Sequence, residues 1–175
     1  MIKQMINPPL QLSSPINLSK LPMAKELEFK LTKEQDWLES LLNQLNSQAS
    51  GIPAEVALKQ SDIQLELNLT RYHTHKLSEY LVVTGHFETI YFTNCVKSMS
   101  LMKEPLDFSI NACFIGREFE TEEEYQDQTE IYTQGQVREL YFFEKRKIDL
   151  SEMIHEQIAL QQNPYPQRID SIQQN

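Results

Sequence analysis

Two hydrophobic periodicities run along this chain, and the first is helical. From residue 32 onward, apolar residues recur at helical spacing while polar residues occupy the opposite side. The apolar stripe consists of Trp37, Leu38, Leu41, Leu42 and Leu45. Thr32, with Gln35 three residues later, is predicted to cap this helix, and Gly51 and Pro53 end the segment. The pattern therefore predicts one amphipathic helix in the N-terminal half.

The second periodicity alternates apolar and polar residues, which indicates strands with one buried face. The predicted strands are 26–31, 63–69, 77–85, 87–96, 106–114, 131–133 and 137–144. The third and fourth of these are two strands or one long strand bent at Gly85, and residues 98–105 form a connection. Because five strand-like runs follow one another without helices, we expect an antiparallel sheet of five or six strands rather than parallel winding.

A second helix is predicted near the C-terminus. Asp149 is a suitable N-cap, and Glu152 three residues on completes a capping box. Pro164 cannot continue a helix, so the element should stop by Gln162. The apolar face comprises Leu150, Met153, Ile154 and Ile158. His155 is expected on the solvated side of this helix.

These elements predict a single α+β domain. An antiparallel sheet, open or closed into a barrel, is packed by the helix of the N-terminal half and by the C-terminal helix. The domain is expected to span residues 26–166, after an extended and partly disordered segment, 1–25, and before a flexible tail, 167–175. Residues 118–130 carry seven acidic residues and no basic one, which predicts a mobile acidic loop.

Composition and charge indicate the cellular location and the type of partner. The chain has 175 residues, a net charge of −9 and two cysteines, Cys95 and Cys113, too few for a disulfide framework. It has no run of 18 apolar residues and no secretory signal, so a reduced, cytoplasmic location without a membrane partner is expected. The negative charge disfavours a protein that binds nucleic acid along its whole surface. It is compatible with a local basic patch or with a basic protein partner.

Motifs for catalysis are missing from the sequence. Four glycines cannot form a dinucleotide or phosphate loop, and the patterns of hydrolases and zinc proteases do not occur. The two cysteines have no histidine at zinc-ligand spacing, His86 is interpreted as surface, and His73 and His75 as a polar turn. No catalytic residue, metal ligand or cofactor is therefore predicted. The basic run Lys145–Lys147 is short and is interpreted first as a solvated entry to the C-terminal helix, with one side of a small interaction face as the alternative.

Two segments carry a resemblance to a known family. Residues 148–160, followed by Pro164 and Pro166, are similar to the C-terminal signature of the YceD family. Upstream, residues 85–98 resemble the family's glycine-initiated strand, which runs into a Cys-x-Arg-Cys motif; Cys95 takes the first cysteine position and Lys97 the arginine position. The signature positions are Gly85, Cys95, Lys97, Ile148, Asp149, Leu150, Glu156, Leu160 and Pro164.

The resemblance implies a non-enzymatic ribosome-biogenesis factor that supports synthesis, processing or stability of large-subunit (23S) ribosomal RNA. Its implied partners are ribosomal RNA, a basic large-subunit ribosomal protein, or both. The chain departs from many members by having Ser98 at the second cysteine position and no C-terminal cysteine cluster, which argues against a zinc role. Two alternatives stay open, a metal-dependent RNA-processing enzyme and a carrier of a small apolar ligand. The candidate patch for RNA or a partner is Lys97, Lys145, Arg146 and Lys147.

Overall fold

Long strands with one buried face dominate the structure, a computed structural model that describes residue 12 and residues 14–168. The strands are β1 (Ile16–Asn17), β2 (Glu26–Thr32), β3 (Asp62–Thr74), β4 (Ser78–Asn94), β5 (Leu101–Gly116), β6 (Glu130–Thr133), β7 (Gln136–Phe143) and β8 (Lys147–Ile148). The helices are α1 (Asp36–Asn46), α2 (Ala54–Gln60) and α3 (Leu150–Gln161).

Six of the strands form one sheet in the order β2-β3-β4-β5-β7-β6, while β1 and β8 pair separately. All neighbours in the large sheet are antiparallel except β5 and β7, which run parallel. The predicted α+β class and single domain are confirmed. The sheet is open, so the barrel alternative is wrong, and the one parallel pair makes it mixed rather than purely antiparallel.

The central strand β4 is a single strand, as the second of the two interpretations of residues 77–96 proposed. It pairs in continuous register with β3 on one side and with β5 on the other. At Gly85 the neighbouring backbone comes very close, because an added Cβ would lie 1.9 Å from the carbonyl oxygen of Glu66. Only glycine fits such an approach without displacing a strand.

The main core lies between one face of the sheet and the helices α1 and α3. The stripe residues of α1, from Leu38 to Leu45, and the apolar face of α3 pack with alternate residues of β2 to β5. Phe87 and Phe108 stack at the centre with their ring centroids 4.8 Å apart. Residues ahead of the predicted domain start also join this core, namely Leu12, Ile16, Leu18 and Leu21.

A smaller core covers one end of the opposite face. It includes Tyr80, Val82, Cys113, Ile115 and Leu140, and it buries Tyr125 from the acidic segment. The buried Tyr125 side chain anchors the middle of residues 118–130, whose mobility stays a prediction. Of the predicted terminal segments, residues 1–11, 13 and 169–175 lie outside the described residues.

Two local predictions are wrong, and one helix was missed. Thr32 is the last residue of β2, and α1 begins four residues later after Gln35, whose side chain makes no cap hydrogen bond. Most of residues 98–105 belong to β5, which begins at Leu101 rather than Leu106. The short helix α2 was not predicted.

The cap of α3 is confirmed. The Asp149 carboxylate accepts a hydrogen bond of 3.0 Å from the Glu152 backbone N–H. The same carboxylate accepts 2.9 Å from the Ser14 hydroxyl, whose oxygen in turn accepts 3.1 Å from the Ser151 N–H. The helix ends at Gln161, and the four residues of its predicted apolar face are buried. The cap therefore joins α3 to the N-terminal segment.

Asp149→Ala should lower the free energy of unfolding by about 0.5–2 kcal/mol, because the first turn of α3 loses its acceptor. Urea unfolding of the purified protein measures this loss. Asp149→Asn, which keeps a side-chain oxygen, is the matched control and should unfold close to the wild type. Equal stability of the alanine variant and the wild type would contradict the role of the cap.

Gly85→Ala should cost about 3 kcal/mol or more, because its methyl group would overlap the Glu66 carbonyl and two paired strands would have to separate. Thermal and urea melts measure the cost. Ser109→Ala, an exposed position of β5, is the control and should stay within about 0.5 kcal/mol of wild type. A Gly85→Ala protein as stable as the control would show that the strands do not approach this closely.

Candidate functional site

The two segments that carry the family resemblance meet in the structure. Cys95 follows the end of β4, and the chain after α3 crosses over it. The Val96 N–H donates 2.9 Å to the Pro166 carbonyl, and the Arg168 N–H lies 3.5 Å from the Cys95 sulfur. The strand motif and the proline-containing stop are therefore one structural unit.

A groove of about 520 Å³ runs along this junction, and we call it the signature groove. Its walls come from the end of α1, the end of β4 and the segment after α3. Val96 and Met99 line it with exposed apolar side chains, Met99 being 69% exposed. Gln162 closes one wall by donating 3.1 Å to the Tyr91 hydroxyl. The groove therefore offers mixed apolar and amide contacts.

Cys95 lies beneath the signature groove and is 3% exposed. Hydrogen bonds from the Ser98 hydroxyl, and then from the backbone N–H groups of Arg168, Ser98 and Lys97, lower the pKa of the Cys95 thiol to about 6. Cys113 behaves oppositely, because burial raises its pKa to about 12. The packed position of Cys95 agrees with the sequence interpretation. The hydrogen bonds from Ser98 and Lys97 are local, whereas the one from Arg168 depends on a crossing that local sequence does not reveal.

The other signature positions divide into structural and exposed groups. Ile148 and Leu150 are fully buried in the main core, and Ile148 pairs with Ile16 in the small sheet. Glu156, Leu160 and Pro164 are exposed. Leu160, at 70% exposure, contributes nothing to the core and is available for a contact.

The predicted basic patch is divided in the structure. Lys97 lies three residues beyond the last residue of β4. Arg146 pairs with Glu79, the second residue of the same strand. With about 3.3 Å per residue, the 17-residue strand separates them by on the order of 50 Å. The patch joining Lys97 with Lys145, Arg146 and Lys147 is therefore not one surface, because it occupies both ends of the sheet.

The remaining basic run forms a tight turn between β7 and β8. Lys145 and Arg146 both have left-handed backbone angles, with φ of 52° and 60°. Such angles cost non-glycine residues about 1–3 kcal/mol each, so the turn is held by contacts around it. Arg146 donates 2.7 Å to the Ser19 hydroxyl and pairs with Glu79. Lys147 is part of β8, so the run does not start the helix as predicted.

Glu79 ties this turn to the sheet. Its carboxylate pairs with Arg71 at 2.7 Å and with Arg146 on its other oxygen. Hydrogen bonds from Arg71 and then Arg146 lower the pKa of Glu79. A groove of about 740 Å³ beside the turn is lined by three cations and three carboxylates, namely Arg117, Lys145, Arg146, Glu79, Glu118 and Glu144. The turn is therefore a mixed-charge surface rather than a basic one.

The polar face of β2 to β5, opposite the helices, is predominantly acidic, and we call it the acidic face. Its described acidic residues are Glu26, Glu28, Asp62, Glu66, Glu88 and Asp107, and all are exposed. Two lysines share the face. Lys30 lies 3.8 Å from both Glu28 and Glu66, and Lys103 rests on the Phe92 ring.

Sequence reasoning missed one cluster on the acidic face. The ligand atoms of His86, Glu88 and Asp107 lie within 4.8 Å of one another, the one such group of potential metal ligands among the described residues. His86 and Glu88 share a face of β4, and Asp107 of β5 lies directly opposite Glu88. The spacing of His86 and Glu88 was visible in the sequence, but Asp107 could be added only once the register between the strands was known.

Comparison with known proteins gives no relative: no family model, curated protein or solved structure matches the chain. In the part of the chain that the structure describes, no helix is long and apolar enough to cross a membrane.

The low pKa of Cys95 makes a pH-dependent contribution to stability. Because its pKa falls from 9.0 to about 6 on folding, the thiolate stabilises the folded state fully above pH 9, and this contribution disappears as pH falls through 6. The stability difference between wild type and Cys95→Ala should therefore be larger at pH 8 than at pH 5, as measured by urea unfolding. For Cys113→Ala, the corresponding difference should not change between these pH values, since burial keeps that thiol protonated. A difference for Cys95→Ala that is also constant would contradict the thiolate.

Proposed function

We propose that this protein is a non-enzymatic ribosome-biogenesis factor that supports accumulation of large-subunit ribosomal RNA by binding a basic large-subunit ribosomal protein. The observation that carries the choice of partner is the acidic face, an open sheet surface with six exposed carboxylates and two lysines among the described residues. The proposed role in accumulation of large-subunit ribosomal RNA rests on the family resemblance.

Charge distribution favours a protein partner over direct RNA binding. Binding to RNA phosphates requires several clustered cations that are free to contact them. Here Arg146 pairs with Glu79 and Lys97 lies at the other end of the sheet. The groove beside Lys145 has three carboxylates that balance its three cations. The net charge of −9 also disfavours RNA, because it repels the phosphates.

A basic ribosomal protein matches the acidic face in charge. The face is broad, because its carboxylates are distributed over four adjacent strands. Opposite charge on two surfaces accelerates their encounter and selects the partner, and the effect weakens as salt increases. We therefore expect an association that is sensitive to ionic strength.

Charge reversal on the acidic face tests the proposal. Tagged wild type should co-purify a basic large-subunit ribosomal protein at low salt, and Glu28→Lys combined with Glu66→Lys should abolish this recovery. The matched control, Glu122→Lys with Glu123→Lys, makes the same change in net charge in the acidic segment and should retain the partner. Melts of each variant confirm folding.

Deletion of the gene tests the process. Loss of the protein should lower large-subunit ribosomal RNA relative to small-subunit RNA and should change the free large-subunit particles in sedimentation profiles. Unchanged RNA and particles would overturn the ribosomal role. Recovery of RNA alone, insensitive to the Glu28 and Glu66 changes but lost with Lys145→Ala and Lys147→Ala, would replace the protein partner with RNA.

One observation favours a second candidate, a metal-dependent RNA-processing enzyme. The cluster of His86, Glu88 and Asp107 has the ligand types that hold catalytic divalent metals. This candidate requires that pure protein with added Zn²⁺ or Mg²⁺ cleaves precursor ribosomal RNA and that Asp107→Asn does not. Intact RNA under those conditions would remove it.

A further inference from the structure

We propose that His86, Glu88 and Asp107 form a binding site for a first-row divalent transition metal, with Zn²⁺ the best match. The proposal does not depend on the ribosomal function, because it concerns the folded protein and the metal alone. It rests on four features of the acidic face, namely donor type, geometry, charge balance and space.

The donor set combines one imidazole with two carboxylates. Imidazole nitrogen binds Zn²⁺, Cu²⁺, Ni²⁺ and Fe²⁺ well, whereas Mg²⁺ and Ca²⁺ prefer oxygen ligands alone. One ligand atom from each of the three side chains lies within 4.8 Å of the others, a separation that a shared metal can bridge after small rotamer changes. A transition metal is thus favoured over the alkaline-earth ions.

The backbone holds the three side chains on paired strands rather than on loops. His86 and Glu88 are two residues apart on β4, so both project from the same face. Asp107 pairs with Glu88 within an unbroken register that runs from Leu81–Phe114 to Asn94–Leu101. The backbone positions of the three ligand residues are therefore fixed before any metal arrives, which reduces the cost of ordering their side chains.

Charge balance also favours a cation here. Carboxylates directly opposite each other on adjacent strands repel and destabilise the pair. Among the described residues, the one ion pair made by either carboxylate is that of Glu88 with His86, 3.2 Å away, and no lysine or arginine contacts Glu88 or Asp107. A divalent ion would neutralise both carboxylates at once.

The cluster adjoins a hollow of about 330 Å³ with room for further ligands. Glu88 and Asp107 line it together with Asp62 and Gln64 from β3. The Gln64 amide donates 3.3 Å to Asp62, which holds that carboxylate beside the hollow. Three protein ligands leave at least one coordination position open, where water or a partner's donor group can bind.

Metal titration of the purified full chain tests the site. Isothermal titration with Zn²⁺ should give one saturable site, with Mg²⁺ at least tenfold weaker. His86→Ala and Asp107→Asn should each weaken Zn²⁺ binding at least tenfold. The first removes the nitrogen ligand, and the second replaces a charged carboxylate with a neutral amide. The matched control is His75→Ala, an exposed histidine in the turn before β4, which should bind as the wild type does.

Thermal melts provide a second readout that separates lost binding from lost folding. Without metal, Asp107→Asn should melt at or above the wild-type temperature, because it removes a carboxylate that repels Glu88. With Zn²⁺, the wild type should gain melting temperature by mass action and Asp107→Asn should not.

The spectrum of the Co²⁺-loaded protein identifies the ligands. Nitrogen and oxygen ligation gives d–d bands without a thiolate charge-transfer band. A thiolate band would place the metal on Cys95 or Cys113 and would overturn the proposal. So would the absence of saturable Zn²⁺ binding in the wild type, or equal binding by His86→Ala, Asp107→Asn and wild type.

Discussion

Burial of only one face of the long strands governs this structure. The helices α1 and α3 and the N-terminal segment all pack on the same side of β2 to β5, and they complete the main core there. The smaller core covers one end of the other side. Strands that alternate apolar and polar residues can satisfy this arrangement only if the rest of the second face meets solvent. The open acidic face is thus a direct result of where the helices pack.

Continuous register then determines the chemistry of that open face. The chain passes from β3 to β4 to β5 through tight turns, and the pairing runs along both interfaces without a bulge. Side chains on the polar face therefore stand in straight rows across the sheet, such as Gln64, Glu88 and Asp107. A slip of one residue would exchange the two faces, so the core sequence also specifies which charged groups become neighbours.

Local patterns in the sequence predicted the helices and strands better than they predicted which strands pair with each other. Alternation identified most strands, and the Asp149 cap located the start of α3, because both signals depend on residues near one another. The helix α2 was not predicted because its seven residues bury a single side chain, Ala57, and show no apolar stripe at helical spacing. Pro105 suggested a connection, yet it lies within β5 at a position that β7 does not pair with. The parallel pairing of β5 with β7 has no local signature.

The same distinction applies to the candidate site. The two family-like segments could be recognised in the sequence, but the contact between Val96 and Pro166 needed the folded chain. The basic run was visible, whereas its pairing with Glu79 was not, since the two lie 67 residues apart. The sequence therefore shows which charged side chains a surface can contain. The tertiary ion pairs decide which of those side chains remain free to bind a partner.

The pairing of β1 with β8 has a consequence for synthesis of the protein. Ile16 lies opposite Ile148, and the Ser14 hydroxyl contacts the cap of α3 from 135 residues away. On a translating ribosome, the first strand emerges long before its partner exists, so it must wait while the large sheet assembles. Closure of the core is therefore possible only after β8 has been made, and a nascent chain stalled before β8 would expose apolar residues such as Leu18.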